Sequence, residues 1–77
     1  MDVLQTIDEA RRELAAGHEK EAARMLTDAV YATHDPELER QIREFALQGR
    51  EHAGRFGKGR WEEIIRIAEL RAAKGQG

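Results

Sequence analysis

Leu14-Ala15-Ala16-Gly17-His18-Glu19-Lys20-Glu21-Ala22 decides the fold. Before it, Val3, Leu4, Ile7, Ala10 and Leu14 recur at the spacing of one buried helical stripe. After it, Ala22, Met25, Leu26, Ala29 and Val30 do the same, and Tyr31 and Ala32 widen the stripe. Only Gly17 and His18 separate the two patterns, and so short a connection forces an antiparallel helical hairpin. Gly17 suits the left-handed position that ends a helix, and Glu19 and Glu21 suit the positive end of the next one. The first helix is predicted from about Val3 to Ala16, with Asp2 as its cap and Gln5 at capping-box spacing. The second is predicted from about Glu19 to Thr33.

Outward from this hairpin, His34-Asp35-Pro36-Glu37 marks the sharpest boundary, a capping Asp followed by Pro at the first helical position. A third helix is predicted from Pro36 to about Ala53, with Leu38, Ile42, Phe45 and Ala46 as its stripe and Gly49 interrupting it. Gly54-Arg55-Phe56-Gly57-Lys58-Gly59 reads as a loop. A fourth helix follows from about Arg60 to Ala73, carrying Trp61, Ile64, Ile65, Ile67, Ala68 and Leu70. Period-two alternation is absent and β-branched residues are scattered, so nothing here builds a sheet. The expectation is a single all-α domain over 1–77. It contains one hairpin over 3–33, a second over 36–73 and a tail over 74–77; a compact four-helix bundle is the alternative arrangement.

The 77 residues hold 36% charged and 40% hydrophobic side chains, with no Cys and no Ser. Without Cys there is neither a disulfide framework nor a thiolate metal site, so stability must come from packed helices or self-association. The N-terminus has no basic segment followed by an apolar run, and no stretch approaches the ~20 apolar residues of a membrane span. A cytoplasmic protein with no membrane association is expected. The Asp2 cap and the Gly75-Gln76-Gly77 tail read as near-natural domain boundaries.

The first hairpin turn also carries a family pattern. Gly17 is followed by a small residue at Ala22, a large apolar residue at Leu26 and a small one at Ala29, with Ala10 small in the preceding helix. This resembles a tetratricopeptide repeat. Gly59-Arg60-Trp61-Glu62-Glu63-Ile64 repeats the turn more loosely, with Ala68 at the large apolar position and Arg71 where the family has Ala. The spacing of 42 between Gly17 and Gly59 exceeds the family's 34, and Pro36 falls two residues late. The resemblance implies two stacked hairpins that bind a protein segment without chemistry of their own. Small residues at Ala10, Ala22 and Ala29 let helices approach closely whichever family is involved. Two repeats leave an unsatisfied end, so the chain is expected to dimerise or to dock on a partner through a terminal helix, with the apolar face of the fourth helix as the surface.

Candidate chemistry is thin. Two common nucleophiles, Ser and Cys, are missing. His18, His34 and His52 share no metal-ligand spacing, so no metal and no cofactor are expected. The carboxylates Asp8-Glu9, Glu19/Glu21 and Glu62-Glu63 sit on first turns or polar faces rather than in a cleft. The Gly54–Gly59 loop has amides, cations and a following helix, but it fits neither the P-loop nor the dinucleotide pattern. No enzyme is expected.

What remains is binding. Residues 1–38 carry net charge −5 and residues 39–77 carry +3. Arg55, Phe56, Lys58, Arg60 and Trp61 form a candidate protein-contact patch on the loop and the start of the fourth helix. The leading expectation is a small interaction module, an adaptor or regulator that binds another protein. The alternative is a nucleic-acid-binding regulator using Arg40, Arg43, Arg50, Arg55, Lys58 and Arg60. The spacings Glu39-Arg43, Arg40-Glu44 and Glu62-Arg66 instead suggest ion pairs on solvated faces.

Overall fold

A computed structural model describes residues 1–54 and 57–76, with the backbone alone for residues 75 and 76. The chain is all-α: α1 (Val3–Ala15), α2 (Glu19–Ala32), α3 (Pro36–His52) and α4 (Lys58–Gln76). α1 packs against α2 and α3 against α4, giving two consecutive hairpins.

Each boundary has a local cause. The Asp2 carboxylate accepts from the Gln5 backbone N–H at 3.1 Å. The other half of the capping box is not made, because the Gln5 side chain donates to Glu9 instead. At the end of α1, the Gly17 N–H donates to the Leu14 carbonyl at 3.0 Å and the His18 N–H to the Glu13 carbonyl at 2.8 Å. These two bonds close a Schellman motif around Gly17, whose φ of 88° explains why glycine stands there. His18 supplies no side-chain cap to α2 and pairs with Glu13 at 2.7 Å. α3 opens as expected, with Asp35 accepting from the Glu37 N–H at 2.9 Å and Pro36 in the first turn.

α4 starts earlier than its stripe suggests and also runs on through residues 74–76, which the sequence reads as tail. Lys58 and Gly59 are already helical, so Gly59 lies inside the first turn and does not close a turn as Gly17 does.

The core draws on all four helices. Ile7 and Ala10 come from α1, Ala22, Leu26, Ala29 and Val30 from α2, Ile42 and Ala46 from α3, and Trp61 and Ile64 from α4; each is fully buried. α2 packs on both helices of the second hairpin, whereas α1 reaches only α3 there. The starts of α2 and α4 adjoin, since Trp61 Nε1 donates to Glu19 Oε1 at 2.9 Å. The ends of the same two helices adjoin as well, where Arg71 donates to the carbonyls of Tyr31 at 2.9 Å and Thr33 at 3.2 Å. α2 and α4 therefore run parallel. Arg71 replaces the expected Ala because its guanidinium caps the carbonyl end of α2 in trans.

Two expectations about α4 are corrected here. Trp61 is 0% exposed and belongs to the core, so it presents no surface to a partner. The apolar face of α4 is likewise spent inside: Ile64, Ile65, Ile67 and Ala68 are buried, and Leu70 is the large apolar side chain of α4 left exposed among the described residues.

Candidate functional site

Trp61 positions the surface around it. Its ring stacks on Phe45 at a centroid distance of 6.1 Å and an interplanar angle of 22°. Gly49 lies under the indole, where an added Cβ would sit 2.6 Å from ring carbons. The interruption that Gly49 makes in the α3 pattern is the space that admits Trp61. The Glu19 carboxylate receives the indole N–H and rests beside Gly57, just ahead of α4. Pinned this way, the first turns of α2 and α4 form two adjacent walls.

Between these walls runs a groove of about 580 Å³, lined by His18, Lys20, Glu21, Ala23, Arg24, Thr27 and Arg60. Ala23 is buried and gives a small apolar floor. The aliphatic stems of Lys20, Arg24 and Arg60 extend that floor while their charges reach water. Arg24 is held by Glu21 and by Asp28, the latter at 3.2 Å. Among the described residues, Lys20, Lys58 and Arg60 form no ion pair, so the rim carries net positive charge.

The predicted contact residues separate accordingly. Arg60 lines the groove and Lys58 is exposed in the same turn of α4. Trp61 supports the groove from beneath, and Arg55 and Phe56 lie outside the described residues. Lys20, Ala23 and Thr27 were not singled out from sequence. A signal for them existed: Glu19 and Trp61 are 42 residues apart, the spacing between Gly17 and Gly59. The Trp61–Glu19 bond sets the starts of α2 and α4 side by side, with Lys20 and Arg60 in one groove.

The proposed basic strip is differently disposed. Arg40 is bound by Glu37 at 2.5 Å and by Glu44 at 2.8 Å, and Arg43 crosses to Glu69 at 3.2 Å rather than pairing with Glu39. Arg66 likewise pairs with Glu63 instead of Glu62. Direct hydrogen bonds from Arg24, Arg40 and Arg66 hold the Glu21, Glu37 and Glu63 carboxyls below their ordinary range. These acids are exposed and fully ionised at neutral pH, the opposite of what a general acid needs. Arg50 is half-buried in the last turn of α3. Among the described residues, no group of three or more His, Asp or Glu side chains could hold a metal ion, and no helix is long and apolar enough to cross a membrane.

No family model, curated protein or solved structure matches the chain.

Proposed function

We propose that this protein is a non-enzymatic interaction module, a tetratricopeptide-like adaptor or regulator that binds an acidic segment of a partner protein in the α2–α4 groove. The observation that carries this reading is the groove itself: an apolar floor at Ala23, a cationic rim from Lys20 and Arg60, and a rigid support in Trp61. A partner helix or extended segment would rest a small apolar side chain on the floor and place carboxylates at the rim. The tetratricopeptide likeness is supported at its own positions, since Gly17 has positive φ and Ala10, Ala22, Leu26 and Ala29 are fully buried. Among the described residues, the large apolar side chains exposed for self-association are Met1, Leu4, Tyr31 and Leu70.

The test is selection of displayed peptides on the full chain, followed by affinity measurement. Enriched peptides are expected to be rich in Asp and Glu, and Lys20→Glu and Arg60→Glu should each weaken binding about tenfold, the scale of one lost charge-assisted contact. Both substitutions place an acid in a first turn, where the helix dipole favours it, so the fold is preserved. Peptides without acidic bias, or unchanged affinity in both variants, would overturn the assignment of the groove. Tight binding of single-stranded or duplex oligonucleotides with a steep salt dependence would overturn the adaptor reading in favour of nucleic acid.

A further inference from the structure

A second cavity lies at the other end of the molecule, where α2 finishes, α3 begins and α4 makes its last turns. It measures about 550 Å³ and is lined by Tyr31, His34, Pro36, Glu39, Arg71 and Lys74. Glu39 is its unusual member. The residue is only 6% exposed, yet among the described residues its carboxylate accepts no hydrogen bond and joins no ion pair. No described side-chain oxygen or nitrogen is both sealed from solvent and without a partner. The Glu39 carboxylate thus keeps some contact with solvent, and Glu39 is one of the residues that line the cavity.

Glu39 has no cationic partner among the described residues, and a ligand cation would supply one. The neighbouring cations do not supply one. Arg71 is committed to the Tyr31 and Thr33 carbonyls, and its guanidinium carbon lies 5.9 Å from the centroid of the Tyr31 ring. Lys74 is exposed at the rim, farther from Glu39 than an ion pair allows. One cavity thus presents an uncompensated anion within and an uncompensated cation at its edge. A simple cation would meet the charges of Arg71 and Lys74, and a simple anion would meet Glu39. A molecule bearing both charges suits both sites.

We propose that this cavity binds a small zwitterion of the free amino acid class. Its ammonium group sits against Glu39 and its carboxylate against Lys74, with His34 beside them. The Pro36 ring and the Tyr31 edge give the ligand's side chain an apolar wall. The site stands apart from the α2–α4 groove, with which it shares no residue.

The experiment is a titration of the full ¹⁵N-labelled chain, followed by amide shifts, with each standard L-amino acid in turn. Acetate and n-butylammonium at matched ionic strength and pH 7 are the single-charge probes. Saturable shifts around His34, Glu39 and Lys74 are expected from at least one amino acid and from neither single-charge probe. Glu39→Gln should weaken binding about tenfold and Lys74→Ala about threefold, as expected for one buried and one rim charge. Lys74 is exposed near the end of α4, so its variant keeps the test valid if Glu39→Gln fails to fold. Absence of saturable shifts from every amino acid would overturn the proposal. So would n-butylammonium binding as well as the amino acids, or affinity untouched in Lys74→Ala.

Discussion

The two ends of the molecule are held together by different physics. At the end where α2 and α4 begin, the hairpins lock by shape: Trp61 fills the space over Gly49, stacks on Phe45 and donates its N–H to Glu19. Arg11 of α1 lies over the Phe45 ring, 5.8 Å from its centroid, so all four helices contribute to this end. At the end where α2 and α4 finish, the hairpins are tied by one cation on two carbonyls. There Met1, Leu4, Tyr31 and Leu70 remain exposed, and the Glu39 cavity stays open. Dense packing leaves no room for a ligand but builds a rigid groove on its outside. A tether leaves a hollow. The candidate surfaces follow from this contrast: a preformed groove at the locked end, an unfilled cavity at the tethered one.

The contrast breaks most readily at Trp61, the largest fully buried side chain. Trp61→Ala should cost about 3–5 kcal/mol, the range for removing a buried aromatic from a packed core. A domain of this size has about 4–12 kcal/mol in all, by the usual stability per residue. Urea unfolding should therefore show a variant near the limit of folding, and a loss below about 1 kcal/mol would mean that the two ends do not differ. Gly49→Ala sharpens the point because two effects oppose each other. Helix propensity favours Ala over Gly by about 1 kcal/mol. Against that, the new Cβ would lie 2.6 Å from the indole, and overpacking of this kind costs about 1–3 kcal/mol. A net loss of up to about 2 kcal/mol is expected in the native background. In the Trp61→Ala background the same change should become neutral or stabilising, and a double-mutant cycle measures that reversal.

Much of this architecture is legible in the sequence because its signals are local. Asp2, Gly17 and Asp35-Pro36 act within one helical turn of themselves, and three of the four helices start where those residues place them. The stripes of α1 to α3 predict most of their buried faces for the same reason, but Leu4, Tyr31 and Ala32, counted in those stripes, are exposed. The other misplaced features are matters between helices. Trp61 beside a Gly-rich loop reads as an exposed anchor until Gly49, twelve residues earlier, is seen to make room for it. Arg43 has an acid at helical spacing in Glu39, yet its partner is Glu69 on the facing helix. Glu39, freed of that pairing, becomes the nearly buried carboxylate of the open end. A one-dimensional pattern states which face a residue occupies, not what stands opposite.

The smallest effect belongs to the tethered end. Arg71→Ala removes two hydrogen bonds to the last carbonyls of α2 and a positive charge from the negative end of that helix. The Tyr31 acceptor is exposed whereas Thr33 is buried, so water replaces only part of what is lost and the expected cost is about 1 kcal/mol. The more telling readout is spatial. If the ends are independently fastened, hydrogen exchange in Arg71→Ala should accelerate for amides of the last turns of α2 and α4 while amides around Trp61 keep their protection. Uniform acceleration along both helices would show one cooperative unit instead, in which the tether and the lock report a single global equilibrium. The stability change alone does not separate these outcomes, because a loss of about 1 kcal/mol fits either; the pattern of protection along α2 does.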